Sequence, residues 1–426
     1  MQRRYFLKAA GALAAVAVTP HHIWAQEIYR ASAGLSILQG LTTETTTQLT
    51  IDLPAQLNVE YTLVDRQTNR VFTPTWVRNN RYSGLPVRAD RVFFSGLELG
   101  HYYQFNIKDV AQNRNLDERY LTTLDLSRSN FKIAVMSCMK DSVSNLGRMW
   151  SSAEAANADY YFMIGDVIYG DVGFSHGPDR LWNRFVESRV NIPFYRWKNL
   201  KPVIATWDDH DYGKNNEDGG YEHKVSNLRT FKSFFGQEAL GTTFLEGPGN
   251  SYRLRAFNHN FLFLDSRYFR GLNGGFLGND QLQWVRSAML NASGPTWVME
   301  GSPFFGRADK SNTSYESTSP SELQTFLSEV NRWNSPAVFM GGDLHYSEVS
   351  KLKRGALSYD TYEFISSCMH SSAKSSYNDN ANEHVNGSFR QNFLLFEKNG
   401  LVTDANWKVS CVGESSRIHF EGQFNV

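Results

Sequence analysis

Cysteine is scarce in this chain. Three residues, Cys138, Cys368 and Cys411, in 426 positions make no disulfide framework. A Cys368–Cys411 bridge outside the cytoplasm and a pair of buried thiols are both open readings. Excess charge is missing as well: 43 Lys and Arg stand against 43 Asp and Glu, which excludes the strongly basic surface of a nucleic-acid binder. Long hydrophobic runs are also absent. The apolar stretch Ala9 to Val18 is too short for the ~20 residues of a membrane span, so no permanent span is expected. No internal repeat or low-complexity tract stands out. What the chain does have is 41% hydrophobic and 14% aromatic residues, ample for a packed core, and a length that favours two domains.

Residues 1–25 read as an address rather than as structure. Arg3-Arg4-Tyr5-Phe6-Leu7-Lys8 is a twin-arginine core ahead of the Ala9 to Val18 run, with cleavage expected after Ala25. The bland alternatives are an ordinary secretory signal and a buried helix. Removal of Arg3, Arg4 and Lys8 tips the even 43-to-43 balance to a net charge of −3. The twin-arginine export machinery moves folded proteins, often with a cofactor inserted. A periplasmic or secreted location and a metal site loaded before export are therefore the expectations.

Residues 26–128 alternate in the manner of short strands, as in Gln48-Leu49-Thr50-Ile51-Asp52-Leu53, and no helical pattern interrupts them. A β-sandwich is expected there. The segment Leu97-Glu98-Leu99-Gly100-His101-Tyr102-Tyr103-Gln104-Phe105 resembles the fibronectin type III pattern around its tyrosine corner, with Tyr103 as the corner residue and Leu99 where proline is usual. The linker is placed near Ser127-Arg128-Ser129-Asn130.

Residues 129–426 read as an α/β catalytic domain. Apolar runs too continuous for one-sided strands occur at Phe131–Met136, Tyr160–Ile164, Pro202–Trp207, Phe261–Leu264, Thr296–Met299 and Ala337–Met340. Between them, Leu146, Met149, Trp150 and Ala153 recur at helical spacing, as do Val225, Leu228, Phe231 and Phe235. Ser319-Pro320-Ser321-Glu322 reads as a capping box opening a helix with Leu323, Phe326, Leu327 and Val330 on its apolar face. Lys310–Ser319 and Ser371–Ser388 read as loops.

The chemistry gathers where the buried strands end. Met136-Ser137-Cys138, Gly165-Asp166-Val167-Ile168-Tyr169, Trp207-Asp208-Asp209-His210-Asp211, Leu264-Asp265-Ser266-Arg267 and Gly341-Gly342-Asp343-Leu344-His345 each follow one. Ligands of α/β sheets bind at the carboxyl ends of strands, and acids so crowded need a cation to relieve their repulsion. Taken singly, Cys138 reads as a small buried hydrophobe, Asp166 as an N-cap, and Arg267 as the partner of Asp265. Asp343 and His345, on alternate positions of an extended segment, are expected to point the same way. His176, His223, His259, His370 and His384 carry no signal beyond surface or core roles.

Together, the motifs S-C, G-D-x-x-Y, W-D-D-H-D, L-D-S-R and G-G-D-x-H are similar to those of the alkaline phosphatase D (PhoD-like) family of the metallophosphoesterase superfamily. Leu277-Gly278-Asn279-Asp280-Gln281-Leu282-Gln283-Trp284 also resembles that family's L-G-x-x-Q-x-x-W run. One departure is plain: Gly301-Ser302-Pro303 stands where the family has an Asn-Gln pair. The resemblance implies a metallophosphoesterase-type β-sandwich core flanked by helices, preceded by a fibronectin III/Ig-like all-β domain. It implies a first metal, Fe(3+), on Cys138, Asp166, Tyr169 and His345. Asp166 would bridge to a second, Ca(2+), with Asp209 and Asp343 and with Asp208 and Asn215 as further candidates; magnesium and zinc are alternatives there. His210 would protonate the leaving group or steady the phosphoryl oxygen, and Arg267 would hold a phosphate oxygen of a small phosphate-ester substrate. The rival readings are a phosphodiesterase or phospholipase D-type hydrolase on the same site, and a metal-stabilised surface protein that binds a partner without catalysis.

Overall fold

The computed structural model describes residues 34–171, 177–306, 314–378, 380–400 and 406–425. The twin-arginine segment and His176 lie outside them.

Two antiparallel four-stranded sheets come first. One runs Ser36–Thr42, Thr46–Pro54, Val87–Ser95, Trp76–Arg81, and the other Val71–Phe72, Val59–Asp65, Tyr102–Asp109, Arg114–Thr122. Their facing residues, among them Ile37, Leu49, Ile51, Leu63, Phe94, Phe105 and Ile107, form one core. In Val59–Asp65 burial alternates, as a strand wet on one face requires. Thr46–Pro54 does not alternate; every residue before Pro54 is buried. Its second face meets the rest of the molecule: Thr50 Oγ1 donates to Phe234 O at 3.0 Å, and Arg189, 1% exposed, reaches Asp52 at 3.0 Å. Backbones approach closely at this seam. A Cβ on Gly40 would sit 2.0 Å from Gly236 O, and Leu41 N–H donates to that same oxygen at 2.7 Å.

From Phe131 onward two larger sheets face each other. The six-stranded sheet runs Val203–Thr206, Tyr160–Ile164, Phe131–Met136, Asn392–Lys398, Asn406–Gly413, Ile418–Asn425. The eight-stranded sheet runs Phe244–Glu246, Tyr252–Ala256, His259–Phe263, Thr296–Met299, Ala337–Gly341, Thr361–Ile365, Ser347–Leu352, Glu383–Ser388. Ile133, Val135, Phe162, Phe261, Trp297, Met340, Phe364 and Phe396 fill the space between them. Each of the six continuous apolar runs is thus a strand, buried from both sides because helices cover the outer faces. Leu146–Ala156, Pro178–Asn191 and Lys224–Phe234 pack outside the first sheet, and Gly278–Met289 and Pro320–Val330 outside the second.

Several local expectations change. Val225 is 47% exposed, so the Lys224–Phe234 helix buries Asn227, Thr230, Phe231 and Phe234 instead. The Ser319/Glu322 capping box does not form. Ser319 Oγ donates to Gly274 O at 2.8 Å, and the Glu322 carboxylate accepts the N–H groups of Phe276, Leu277 and Gly278, tying two helix starts together. A short helix, Tyr315–Thr318, lies within the polar stretch read as a loop, and Glu383–Ser388 is an edge strand within the second one. Cys368 and Cys411 are buried free thiols, which decides between the two readings above. No helix among the described residues is long and apolar enough to cross a membrane.

Candidate metal centre

The parallel strands Phe131–Met136, Tyr160–Ile164 and Ala337–Gly341 each release the chain into the left-handed region shortly after the last ladder residue. Cys138 (φ 56°), Asp166 (φ 51°), Asp343 (φ 63°) and His345 (φ 57°) all sit there. Such backbone stores on the order of 1–3 kcal/mol at each non-glycine residue and persists where surrounding structure holds it. Gly165 is part of that hold. At φ +89° its Cβ would meet Asp208 Cβ at 2.7 Å and Gly301 Cα at 2.9 Å, so only glycine lets the loops converge.

Three overlapping groups of ligand atoms result, each within 4.8 Å: Cys138, Asp166 and His345; Asp166, Asp209 and His210; Asp208, Asp209 and Asp343. Asp166 and Asp209 each belong to two. Cys138 Sγ lies 3.6 Å from Asp166 Oδ2, and Tyr169 OH lies 3.1 Å from His345 Nε2. Asp343 and His345, both with left-handed backbone, fall in different groups: His345 with the thiol, Asp343 with Asp208 and Asp209.

Arg267 is fully buried, and its guanidinium grips Asp208 through Nε (2.5 Å to Oδ1) and Nη2 (2.9 Å to Oδ2). Ser266 and Ser302 hydroxyls also donate to Asp208 Oδ1, at 3.0 and 2.9 Å. The guanidinium thus serves the wall of the site, and only the Arg267 backbone N–H goes to Asp265, at 2.9 Å. Gly301-Ser302-Pro303, the departure from the family pattern, supplies part of that wall. Asn215 is exposed and gives its backbone N–H to Asp171 Oδ2 at 3.1 Å.

Burial governs the protonation of the group. It pushes the Cys138 thiol and the Tyr169 phenol well up, with nearby anions adding to it, and it raises Asp166 far above the carboxylate range. Asp343 rises to about 7 through burial and through Asp208 and Asp209. Asp209 is the exception: against burial, Arg267, His210 and the Asn216 N–H hold it down at about 2. His345 falls to about 4 by burial, leaving the neutral imidazole that a metal needs. Asp343 Oδ2 is enclosed without a hydrogen-bond partner. Thiol, phenol, imidazole and carboxylates that resist ionising alone, with an orphaned carboxylate oxygen among them, fit a cation pair.

Positioning residues beyond the predicted set complete the centre. Asp171 Oδ1 takes Nδ1 of His210 at 2.7 Å. Asp211 joins two loops, accepting Val167 N–H at 2.9 Å and Asp208 N–H at 2.6 Å. Ser366 and Ser367 follow the buried strand Thr361–Ile365 and reach the Cys138 loop. A polar pair closing a buried strand was the available signal for those serines, and the acid two places after Tyr169 was the signal for Asp171.

No protein-family model and no curated protein matches the chain. Among solved structures, a protein of Thermus thermophilus aligns over 70% of this chain and 99% of that one at 8% identity and a TM-score of only 0.29. The structure described as "Structure of PhoD" aligns over 92% of this chain and 88% of that one, at 14% identity and a TM-score of 0.69. The chain has a PhoD-like fold.

Proposed function

We propose that the protein is an exported, metal-dependent phosphoesterase. The observation that carries this reading is the chain of three ligand groups linked through Asp166 and Asp209, with His210 in the middle one. Cys138, Asp166, Tyr169 and His345 would hold ferric iron, since a thiolate and a phenolate suit a trivalent ion. Asp166, Asp209 and Asp343 would hold calcium, an all-oxygen set suited to a hard cation. When bound, the cation pair supplies Lewis-acid polarisation of the phosphoryl oxygens and a water acidified to near-neutral pKa.

The chain's own residues do the rest. Asp171 fixes the His210 ring through Nδ1, and the ring lies 4.1 Å from that of Tyr169, leaving Nε2 to hold a proton for the departing alkoxide. Burial opposes a charged His210, but Asp166, Asp171 and Asp209 together raise it to about 10. Cations on Asp166 and Asp209 would relax part of that field and leave Asp171 as the main support for the protonated ring. Arg267 keeps Asp208 neutralised behind Asp209.

The N-terminal sandwich reads as a fibronectin III/Ig-like domain over residues 26–128, ahead of a catalytic domain at 129–426. Tyr103 supports this, its phenol oxygen taking the Glu98 N–H at 2.7 Å as a tyrosine corner would. The twin-arginine motif supports export to the periplasm or beyond. Hydrolysis of a chromogenic phosphate monoester and its bis-ester, with and without chelator, tests the function. Chelator-sensitive turnover of either supports it, the ratio assigns mono- or diesterase, and no turnover of either by metal-loaded protein overturns it.

A further inference from the structure

Two of the proposed ligands, Cys138 and His345, come from different sheets, and a single buried hydroxyl touches both. Ser367 is fully buried. Its Oγ accepts the His345 backbone N–H at 2.8 Å and lies 3.1 Å from Cys138 Sγ. A serine hydroxyl has one proton. With Oγ already accepting from His345, that proton is free to go to the sulfur. Ser137 Oγ is also near the sulfur, at 3.3 Å, but donates at 2.7 Å to Ser366 O, so its proton is spent elsewhere.

The surroundings fix Ser367 in this place. Ser366 N–H donates to Gly341 O at 2.9 Å and Ser366 Oγ to Val135 O at 2.6 Å, tying the serine pair to the strands that lead to His345 and to Cys138. Ser347 Oγ lies 3.1 Å from Ser367 O, closing the other side. Both clasped residues hold left-handed backbone, at φ 56° and 57°, which a shared partner helps to enforce.

We propose that Ser367 is a positioning residue that clasps Cys138 to His345 and, by donating a hydrogen bond to the sulfur, withdraws charge from the sulfur–metal bond. The role rests on the reading of Cys138 as a ligand. Hydrogen bonds to a ligating sulfur and to the groups around a site tune the metal, and their loss lowers metal affinity about 10–100-fold.

Cobalt(II) added to metal-free protein provides the test, because sulfur ligation to cobalt gives a charge-transfer band independent of turnover. In Ser367→Ala the band should move to longer wavelength, as sulfur regains charge, and cobalt should bind about 10–100-fold more weakly. Ser367→Thr, which keeps the hydroxyl, should restore both. A Ser367→Ala protein with the wild-type band and affinity overturns the proposal, including when its melting temperature has dropped, since that outcome makes Ser367 merely structural. Wild-type protein without any sulfur band removes Cys138 as a ligand, a failure of the metal reading itself that takes this proposal with it.

Discussion

Asp171 Oδ1 and His210 Nδ1 are 2.7 Å apart, and the second oxygen of the same carboxylate is tied to the Asn215 N–H at 3.1 Å. A carboxylate so anchored fixes both the tautomer and the tilt of the imidazole, presenting Nε2 outward. His210→Ala should retain both metals while turnover falls on the order of 10²–10⁴-fold, the range of general acid–base groups. Asp171→Ala should lower kcat by less, with little change in KM. In the His210→Ala background it should have no further effect, because it acts through the ring. Loss of metal in step with activity in His210→Ala would make His210 a ligand, an arrangement its grouping with Asp166 and Asp209 makes worth measuring.

Asp166 is the residue common to the thiol-side group and the group containing His210. Its backbone is left-handed and its carboxyl resists ionising without a cation. Asp166→Asn should therefore lose metal and activity together, with elemental analysis showing both metals diminished. Full metal content with activity abolished would mean that Asp166 serves substrate instead.

Much of this architecture was legible because burial writes itself into sequence. The six runs with apolar residues on both faces read as strands covered on both sides, and the acids just past them fall at the strand ends. Less legible was everything set by partners distant in the chain. Arg267 looks like a substrate clamp until Asp208 is seen held between it and Ser302. Ser319 and Glu322 have the spacing of a capping box, yet a second helix start captures Glu322 first. Val225 has the right period for an apolar face but falls outside the arc that the sheet covers. Asp343 and His345 obey strand alternation only while the segment is extended, and its left-handed turn could not be read from residue types.

Cys138 and Tyr169 give a direct check on the identity of the first metal. Both groups are raised by burial, so only a strongly charged cation would bind them as anions. The purified protein should show a visible ligand-to-metal charge-transfer band and about one iron per chain, and Cys138→Ser should bleach the sulfur contribution. A colourless, fully active preparation containing zinc would rule out iron and leave the phosphoesterase reading standing.

His259 lies far from this chemistry and sets part of the acid sensitivity of the fold. It closes a two-residue hairpin, pairing with Ala256 across Phe257 and Asn258, both left-handed at φ 56° and 59°. Its Nδ1–H donates to Phe257 O at 2.6 Å, while Phe131 and Trp407 enclose the ring. Burial lowers its pKa from 6.5 to about 4, so the ring is neutral in the folded chain at pH values where the unfolded chain would protonate it. The unfolded state thus binds more protons between these limits. The stabilisation is complete above about pH 6.5 and is lost as pH falls toward 4. Between pH 7 and pH 5 the loss is about 2 kcal/mol. His370, also lowered to about 4 by burial, contributes in the same direction, whereas Asp52, raised to about 6, opposes it. The comparison must therefore be between variants. His259→Asn keeps a donor near Nδ1 and cannot ionise; it should lower stability at both pH values through lost ring packing, but its loss between pH 7 and pH 5 should be smaller than that of wild type by about 2 kcal/mol in urea unfolding. An identical pH dependence in the two proteins would mean that His259 is already protonated in the fold or already neutral in the unfolded chain.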